Sequence, residues 1–257
     1  MTLSQCASLI ERGDPDRFAA LLATPLPQRN RLVPLYAFNL EVARAPWISK
    51  EPMIAEIRLQ FWREVVGDAA AGRVRAHEVA APFATLVAET ALPAEVLDQL
   101  IEARRWDIYR DPFEDEAAMD LYLERTGGAL AWLACKALGA GPAVERVARD
   151  AGWAAGLAGF LRAVPELEAR GRVPLVDGRA AAVSALAQRG LDRLARARAA
   201  RGVVPREVRP AFLPGWQSGA LLGQVVASPS IVAAGKMGLS EFSRRGQLLW
   251  QAVSGRF

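Results

Sequence analysis

Three aspartates, Asp107, Asp111 and Asp115, stand four residues apart in "WDIYRDPFED". A spacing of four puts side chains on one face of a helix. Carboxylates so placed can hold a divalent cation such as magnesium. Pro112 interrupts this ladder, because proline removes a backbone N–H and clashes with the preceding turn. Asp111 and Asp115 are therefore expected off a common face. Glu114, Asp115 and Glu116 read instead as the acidic opening of the next helix. Other chemistry is sparse. The only histidine is His77, in "RVRAHEVA", and no G-x-S-x-G elbow exists to pair with it. His77 is expected to be exposed in a helix or loop. Cys6 and Cys135 lie far apart and build neither a disulfide framework nor a zinc spacing, which fits a reducing cytoplasm.

The elements that would carry these residues are helical throughout. "SLIERGDPDRFAALLATP" reads as two short helices with a turn at Gly13-Asp14-Pro15, the second ending near Pro25. "PQRNRLVPLYAFNLEVARA" places Leu32, Leu35, Tyr36, Leu40 and Ala43 at spacings of three and four, and Pro46 closes it. "SKEPMIAEIRLQFWREVVGDAAAG" has Ser49 as its expected N-cap and Gly67 and Gly72 marking its end. Ile54, Ile57, Phe61, Val65 and Val66 form its expected apolar face. Further helices are expected over 77–90, from Pro93 to before Pro112, through "EDEAAMDLYLERTGGALAWLACKALG", and through "GPAVERVARDAGWAAGLAGFLRAVP". In the last of these, Gly152, Gly156 and Gly159 lie on or near one face and would let a neighbouring backbone come close. "GRVPLV" is short and extended because of Pro174. With no repeat and no Ser/Gly/Pro linker, the 257 residues read as one all-α domain, 1–257, of about ten helices.

Hydrophobic residues make up 52% and charged residues 23%, a globular balance. The net charge of +4 suits an acidic surface, a phosphate or a lipid headgroup, and nearly all of the positive charge is arginine. Residues 170–209 hold ten arginines against Asp177, Asp192 and Glu207. That region reads as a solvated face, with a docking face for an acidic protein or anionic lipid as the alternative. Nucleic acid is not expected, since no aromatic interleaving or recognition motif accompanies the charge. The N-terminus has no apolar signal-peptide core. The uncharged run 211–235 is interrupted by Pro214, Gln217, Ser218, Gln224 and Pro229. It reads as a buried helical hairpin or a segment resting on a membrane, not as a span.

Several stretches in order resemble the squalene/phytoene synthase family. "PLPQRNRLVPLYAFNL" resembles its opening helix, where a basic residue precedes "YAFxR". "RLQFWREVVGDAAAGR" resembles its following helix. "WDIYRDPFEDEAAMDLYLERTGGALAWLACKALG" resembles the stretch joining "MxxDL" to "YxxxxAGxxG", with Asp107 at that segment's aspartate. "AGWAAGLAGFLRAVPELEARGRVPLV" resembles the helix bearing "GxAxQLxNILRDxxED". The resemblance implies an isoprenoid-synthase-like bundle in which two aspartate motifs on facing helices hold magnesium. Here the first motif falls on Ala43 and Trp47 and the second on Ala163 and Leu167, so none of the four implied carboxylates is present. Glu41 and Glu166 stand near but off those positions.

"YAFNLEVARAPWISKEPMIAEIRLQFWREVV" is more similar to a non-catalytic branch that includes mitochondrial respiratory complex I assembly factors. On that resemblance the chain is an assembly factor or scaffold for complex I (NADH dehydrogenase), with no catalytic residues, no metal and a respiratory subunit or assembly intermediate as partner. A transferase of prenyl diphosphates with an atypical site, using magnesium, is the alternative, as is an isoprenoid- or lipid-binding module. The residues singled out for a ligand or partner groove are Arg31, Tyr36, Asn39, Arg58, Gln60, Trp62 and Arg162. The expected location is the cytoplasm, with the surface of the inner membrane as the alternative.

Overall fold

The computed structural model describes residues 3–257. The turn at Gly13-Asp14-Pro15 separates α1 (Leu3–Gly13) from α2 (Pro15–Leu22), and Asp14 caps α2 by accepting from the Arg17 N–H at 3.0 Å. Then come α3 (Leu26–Arg44), α4 (Pro52–Ala70), α5 (Ala80–Thr90), α6 (Ala94–Ala103), α7 (Glu116–Leu123) and α8 (Ala129–Ala137). A π turn at Glu124–Gly128 joins α7 to α8 in one rod. The chain continues through α9 (Glu145–Ala169), α10 (Ala180–Ala199), α11 (Ser218–Ala227) and α12 (Glu241–Ser254). No strand occurs among the described residues, so the expected all-α class holds.

Two apolar cores result. Helices α1, α3, α4, α5, α6 and α8 bury Phe38, Trp62, Phe83 and Leu133 in the first. Helices α7, α9, α10 and α11 bury Trp153, Leu157, Leu161 and Leu222 in the second. Fully burying each such side chain stabilises the fold by roughly 1.5–3 kcal/mol.

The α7–α8 rod meets α9 backbone to backbone. A Cβ on Gly127 would lie 2.9 Å from Gly156 Cα, and one on Gly152 would lie 2.5 Å from Ala131 Cβ. The expected close approach is thus made by Gly152 and Gly156. Gly159 has no neighbour within 4 Å of a built Cβ.

Several local expectations need correction. The buried stripe of α4 is Ala55, Leu59, Trp62, Val66 and Ala69 with Val65, while Ile54 and Ile57 are exposed. The period of 3.6 starting at Ala55 carries the stripe; Ile54 lies about a quarter turn off it and Ile57 on the opposite side of the helix. The N-cap of α4 is Glu51; Ser49 Oγ accepts from the Glu51 N–H at 3.1 Å outside the helix. Gly67 lies inside α4, whose last turn is followed by Gly72 at φ 74°. His77 is half-buried. Its Nδ1 accepts from the Val79 N–H at 3.1 Å, which delays the start of α5 to Ala80, and its ring meets Phe61 and Trp62. Helix α9 runs through Pro165 to Ala169, because Val164 and Leu167 bury on either side of the proline.

The arginines of α10 are not a free docking face. Arg189 pairs with Glu116 and Asp120 at 3.1 and 3.2 Å, Arg193 with Glu124 at 3.1 Å, and Arg196 with Asp150 at 3.1 Å. Arg193 also lies 4.4 Å from the centre of the Trp153 ring. They clamp α10 onto α7 and α9. The run 211–235 is a covering layer and not a surface-lying segment: Leu221, Leu222 and Val225 of α11 are buried, and Leu222 reaches Gly190 of α10.

Asp16 of α2 pairs with Arg162 of α9 at 3.0 Å and with Arg244 of α12. Burial works against its charge, yet Arg162, Gln217 and Arg244 hold its carboxyl below the ordinary range. A depressed pKa stabilises the fold above the unfolded value, and that contribution is lost as pH falls through the folded value.

Two outcomes are expected. Gly152→Ala lowers stability by about 1–3 kcal/mol in chemical denaturation, whereas Gly159→Ala is neutral or raises it by up to about 1 kcal/mol. The protection of the α12 amides, measured as exchange relative to the intrinsic rate at the same pH, falls as pH drops below about 4, and Asp16→Asn produces the same loss of protection at neutral pH.

Candidate functional site

A cavity of about 660 Å³ opens where α3, α9 and the α7–α8 rod converge. From α3 it receives Tyr36, Asn39 and Ala43. Pro46 turns the chain into a short 3₁₀ segment that brings in Trp47. From α9 it receives Gly156, Gly159, Phe160, Ala163 and Leu167. Ala43, Trp47, Ala163 and Leu167 therefore line one space from facing elements. The far wall is apolar, with Leu123, Leu130 and Phe212, and Phe257 stacks on Phe212 with ring centres 4.0 Å apart.

The polar end is built from residues with few partners to spare. Arg17 lies 5.0 Å from the centre of the buried Tyr36 ring, and burial pushes the Tyr36 phenol up from its ordinary pKa. The Asn39 side chain is 6% exposed, and its Oδ1 has no hydrogen-bond partner. Such an orphan acceptor costs about 1–3 kcal/mol, so it is a ready point of contact for a donor entering the cavity.

A 3₁₀ turn at Arg104–Asp107 swings Asp107 inward, where it is 5% exposed. Its carboxylate accepts from the Tyr122 hydroxyl at 3.0 Å and from Arg104 Nη1 at 3.3 Å. Arg172 donates to the carbonyl oxygens of Asp107, at 2.9 Å, and of Trp106. Burial pushes the Asp107 carboxyl up, against Arg104 and Tyr122, which favour the carboxylate. Burial also works against the charge of Arg104, but Tyr122 and Asp107 outweigh it and hold the guanidinium protonated.

At the mouth, Arg170 lies 4.8 Å and Arg172 5.7 Å from the centre of the Trp47 ring. Arg170 also pairs with Glu166. The indole thus holds two guanidinium groups by cation–π attraction.

The remaining groove residues do not join this space. Arg31 lies in a separate groove with Pro34, Val74 and Thr85. Arg58 and Gln60 are exposed on α4, where Gln60 bonds Glu64 at 3.3 Å. Trp62 is buried in the first core, edge-on to Phe38 at 5.5 Å. Arg162 leaves the α9 face toward Asp16. Arg58, Gln60 and Trp62 stay out because α4 packs on α5 and α6, one layer behind the cavity wall, whereas Arg31 and Arg162 stand on faces of α3 and α9 that point away from it. Arg17, Arg104, Tyr122, Arg170, Arg172, Phe212 and Phe257 line or brace the cavity and were not singled out by sequence. Of these, Arg104 stands three residues before Asp107, which the sequence singled out, in "ARRWD".

These rods around a deep cavity have the all-α architecture of the isoprenoid-synthase fold. The structure superposes on a dehydrosqualene synthase solved with a ligand, with a TM-score of 0.82 and 16% identity over 98% of this chain and 95% of that one. It superposes on a squalene synthase from Alicyclobacillus acidocaldarius with a TM-score of 0.76 and 17% identity over 89% and 94%. Residues 10–176 match the squalene/phytoene synthase family, and the chain belongs to it. Among curated relatives it is 27% identical over 169 residues to "NADH dehydrogenase (ubiquinone) complex I, assembly factor 6" of Bos taurus, covering 65% of this chain and 51% of that protein. The corresponding homolog of Drosophila melanogaster is 29% identical over 181 residues, covering 66% and 53%. The chain thus spans about half the length of the curated relatives it matches.

The fold family implies magnesium, and the donor set here does not fit it. The two carboxylates lining the cavity, Asp107 and Glu166, are each taken by an arginine. Among the described residues no group of three or more His, Cys, Asp or Glu side chains is placed to hold a metal ion. A hard cation needs several free oxygens in one place.

Tyr122→Phe removes a donor to Asp107 and an acceptor for Arg104 without changing the ring. A loss of about 1–3 kcal/mol in denaturant unfolding is expected, larger than for Tyr109→Phe, whose exposed hydroxyl bonds Glu56 at the surface.

Proposed function

We propose that the chain is a non-catalytic member of its family that serves as an assembly factor or scaffold for a respiratory NADH dehydrogenase complex. One observation carries this reading: Ala43, Trp47, Ala163 and Leu167 face one cavity and bring no oxygen ligand to it. Ionising a diphosphate ester needs charge neutralised at the leaving group. Arg17, Arg44 and Arg170 would bind an anion there, yet their charge is equally available to a bound ground state, and uniform binding of that kind does not speed a reaction. The curated relatives named as complex I assembly factors support the direction of the proposal.

A second reading rests on the cavity itself. About 660 Å³ with an apolar far wall and the orphan Asn39 Oδ1 suits an apolar-tailed ligand with one donor in its head. Such a ligand would be held rather than converted, which is compatible with a scaffold.

Deleting the gene in its host is expected to lower assembled NADH dehydrogenase on native gels by several-fold, and re-expression is expected to restore it. Unchanged complex would sink the assembly role. The purified protein is expected to release no diphosphate from farnesyl or geranylgeranyl diphosphate with magnesium; release above a heat-killed control would restore the transferase alternative.

A further inference from the structure

Helix α12 carries apolar side chains on two sides. Its inner side packs Leu248 and Ala252 on Leu213 and Trp216, and Gln251 Nε2 donates to the Trp216 carbonyl at 3.1 Å. Its outer side carries Phe242, Leu249 and Val253 at i, i+7 and i+11, which is one helical face, with Trp250 beside them. Phe242 is 89% exposed and Val253 81%, and Leu249 and Trp250 are also exposed. Single exposed apolar residues are ordinary. A row of four with two aromatics marks a surface that is covered in use.

The charges framing this row say what covers it. Residues 241–257 hold Arg244, Arg245 and Arg256 against one carboxylate side chain, Glu241. Lys236 is exposed just upstream. Arg245 is 86% exposed, and Arg256 lies 5.8 Å from the centre of the Trp250 ring. Cations thus stand at both ends of the apolar row. A discrete acidic patch on a protein would meet one end, whereas a plane of headgroup phosphates meets both. An apolar face with aromatics, bordered by arginine, is the pattern of a helix lying in a bilayer interface. No helix of the described residues is long and apolar enough to cross a membrane.

We infer that α12 docks the protein onto an anionic phospholipid surface, with Phe242, Leu249, Trp250 and Val253 entering the interface and Arg245 and Arg256 meeting headgroup phosphates. This goes beyond the assembly role and does not depend on it. The test is co-sedimentation of the purified full chain with vesicles of phosphatidylcholine, with and without phosphatidylglycerol. Binding is expected to the mixed vesicles and to weaken at least about ten-fold in Phe242→Ser/Leu249→Ser/Val253→Ser. Those side chains are outside the core, so the variant's thermal unfolding is expected to match the parent and serves as the folding control. Brominated lipid is expected to quench the parent's tryptophan fluorescence, with most of that quenching lost in Trp250→Phe. No sedimentation, equal binding to neutral vesicles, or full binding by the triple variant would each overturn the inference. So would a concentration-dependent dimer that the triple variant abolishes, because a second copy of the chain would then be the occupant.

Discussion

Everything around the cavity depends on the contact between Gly127 and the pair Gly152 and Gly156. Two helical rods pass there with no side chain between them. That closeness sets where the rest of α9 goes, and so where Gly159, Phe160, Ala163 and Leu167 meet α3. The π turn at Glu124–Gly128 is part of the same arrangement. Leu123, Thr126, Gly127, Leu130 and Ala131 recur every three or four residues through it, so one continuous face of the rod lines the cavity. Interiors are packed too tightly to absorb a methyl group at such a crossing.

Arginine performs a second structural task. The side chains of α10 reach across to Glu116, Asp120, Glu124 and Asp150, which all lie on the rods that form the glycine crossing. Each partly exposed pair contributes only about 0–1 kcal/mol, but together they fix α10 against both rods at once. The buried set of Arg104, Asp107, Tyr122 and Arg172 works differently. It is satisfied mainly by itself and by two backbone carbonyls, and it stiffens the polar end of the cavity.

Helix identities were legible because the apolar period, the prolines and the glycines all agreed. Gly13-Asp14-Pro15, Pro46 and the Gly152/Gly156 face each announced a feature that the structure contains. The face of α4 was misread because Ile54 and Ile57 are strongly apolar by type but stand off the true stripe, Ile57 on the far side of the helix, and side-chain type outweighed phase. The cavity was half legible. Tyr36, Asn39, Ala43, Trp47, Ala163 and Leu167 were placed on it through the resemblance to a family with facing motifs. Arg104, Tyr122 and Arg172 come from segments far apart in sequence, and only the 3₁₀ turn before Pro112 and the entry after Gly171 bring them together. Arg58, Gln60 and Trp62 failed for the opposite reason: their neighbours in sequence suggested chemistry, while their helix stands one layer back.

Trp47 makes the present state of the cavity self-locking. An indole between Arg170 and Arg172 needs both guanidinium groups close, and they are placed accordingly. A carboxylate introduced at position 47 would find two fixed cations within reach and would pair with them, leaving its oxygens unavailable to a metal. A single acidic substitution at that position is therefore absorbed as a salt bridge and by itself supplies no free metal ligand.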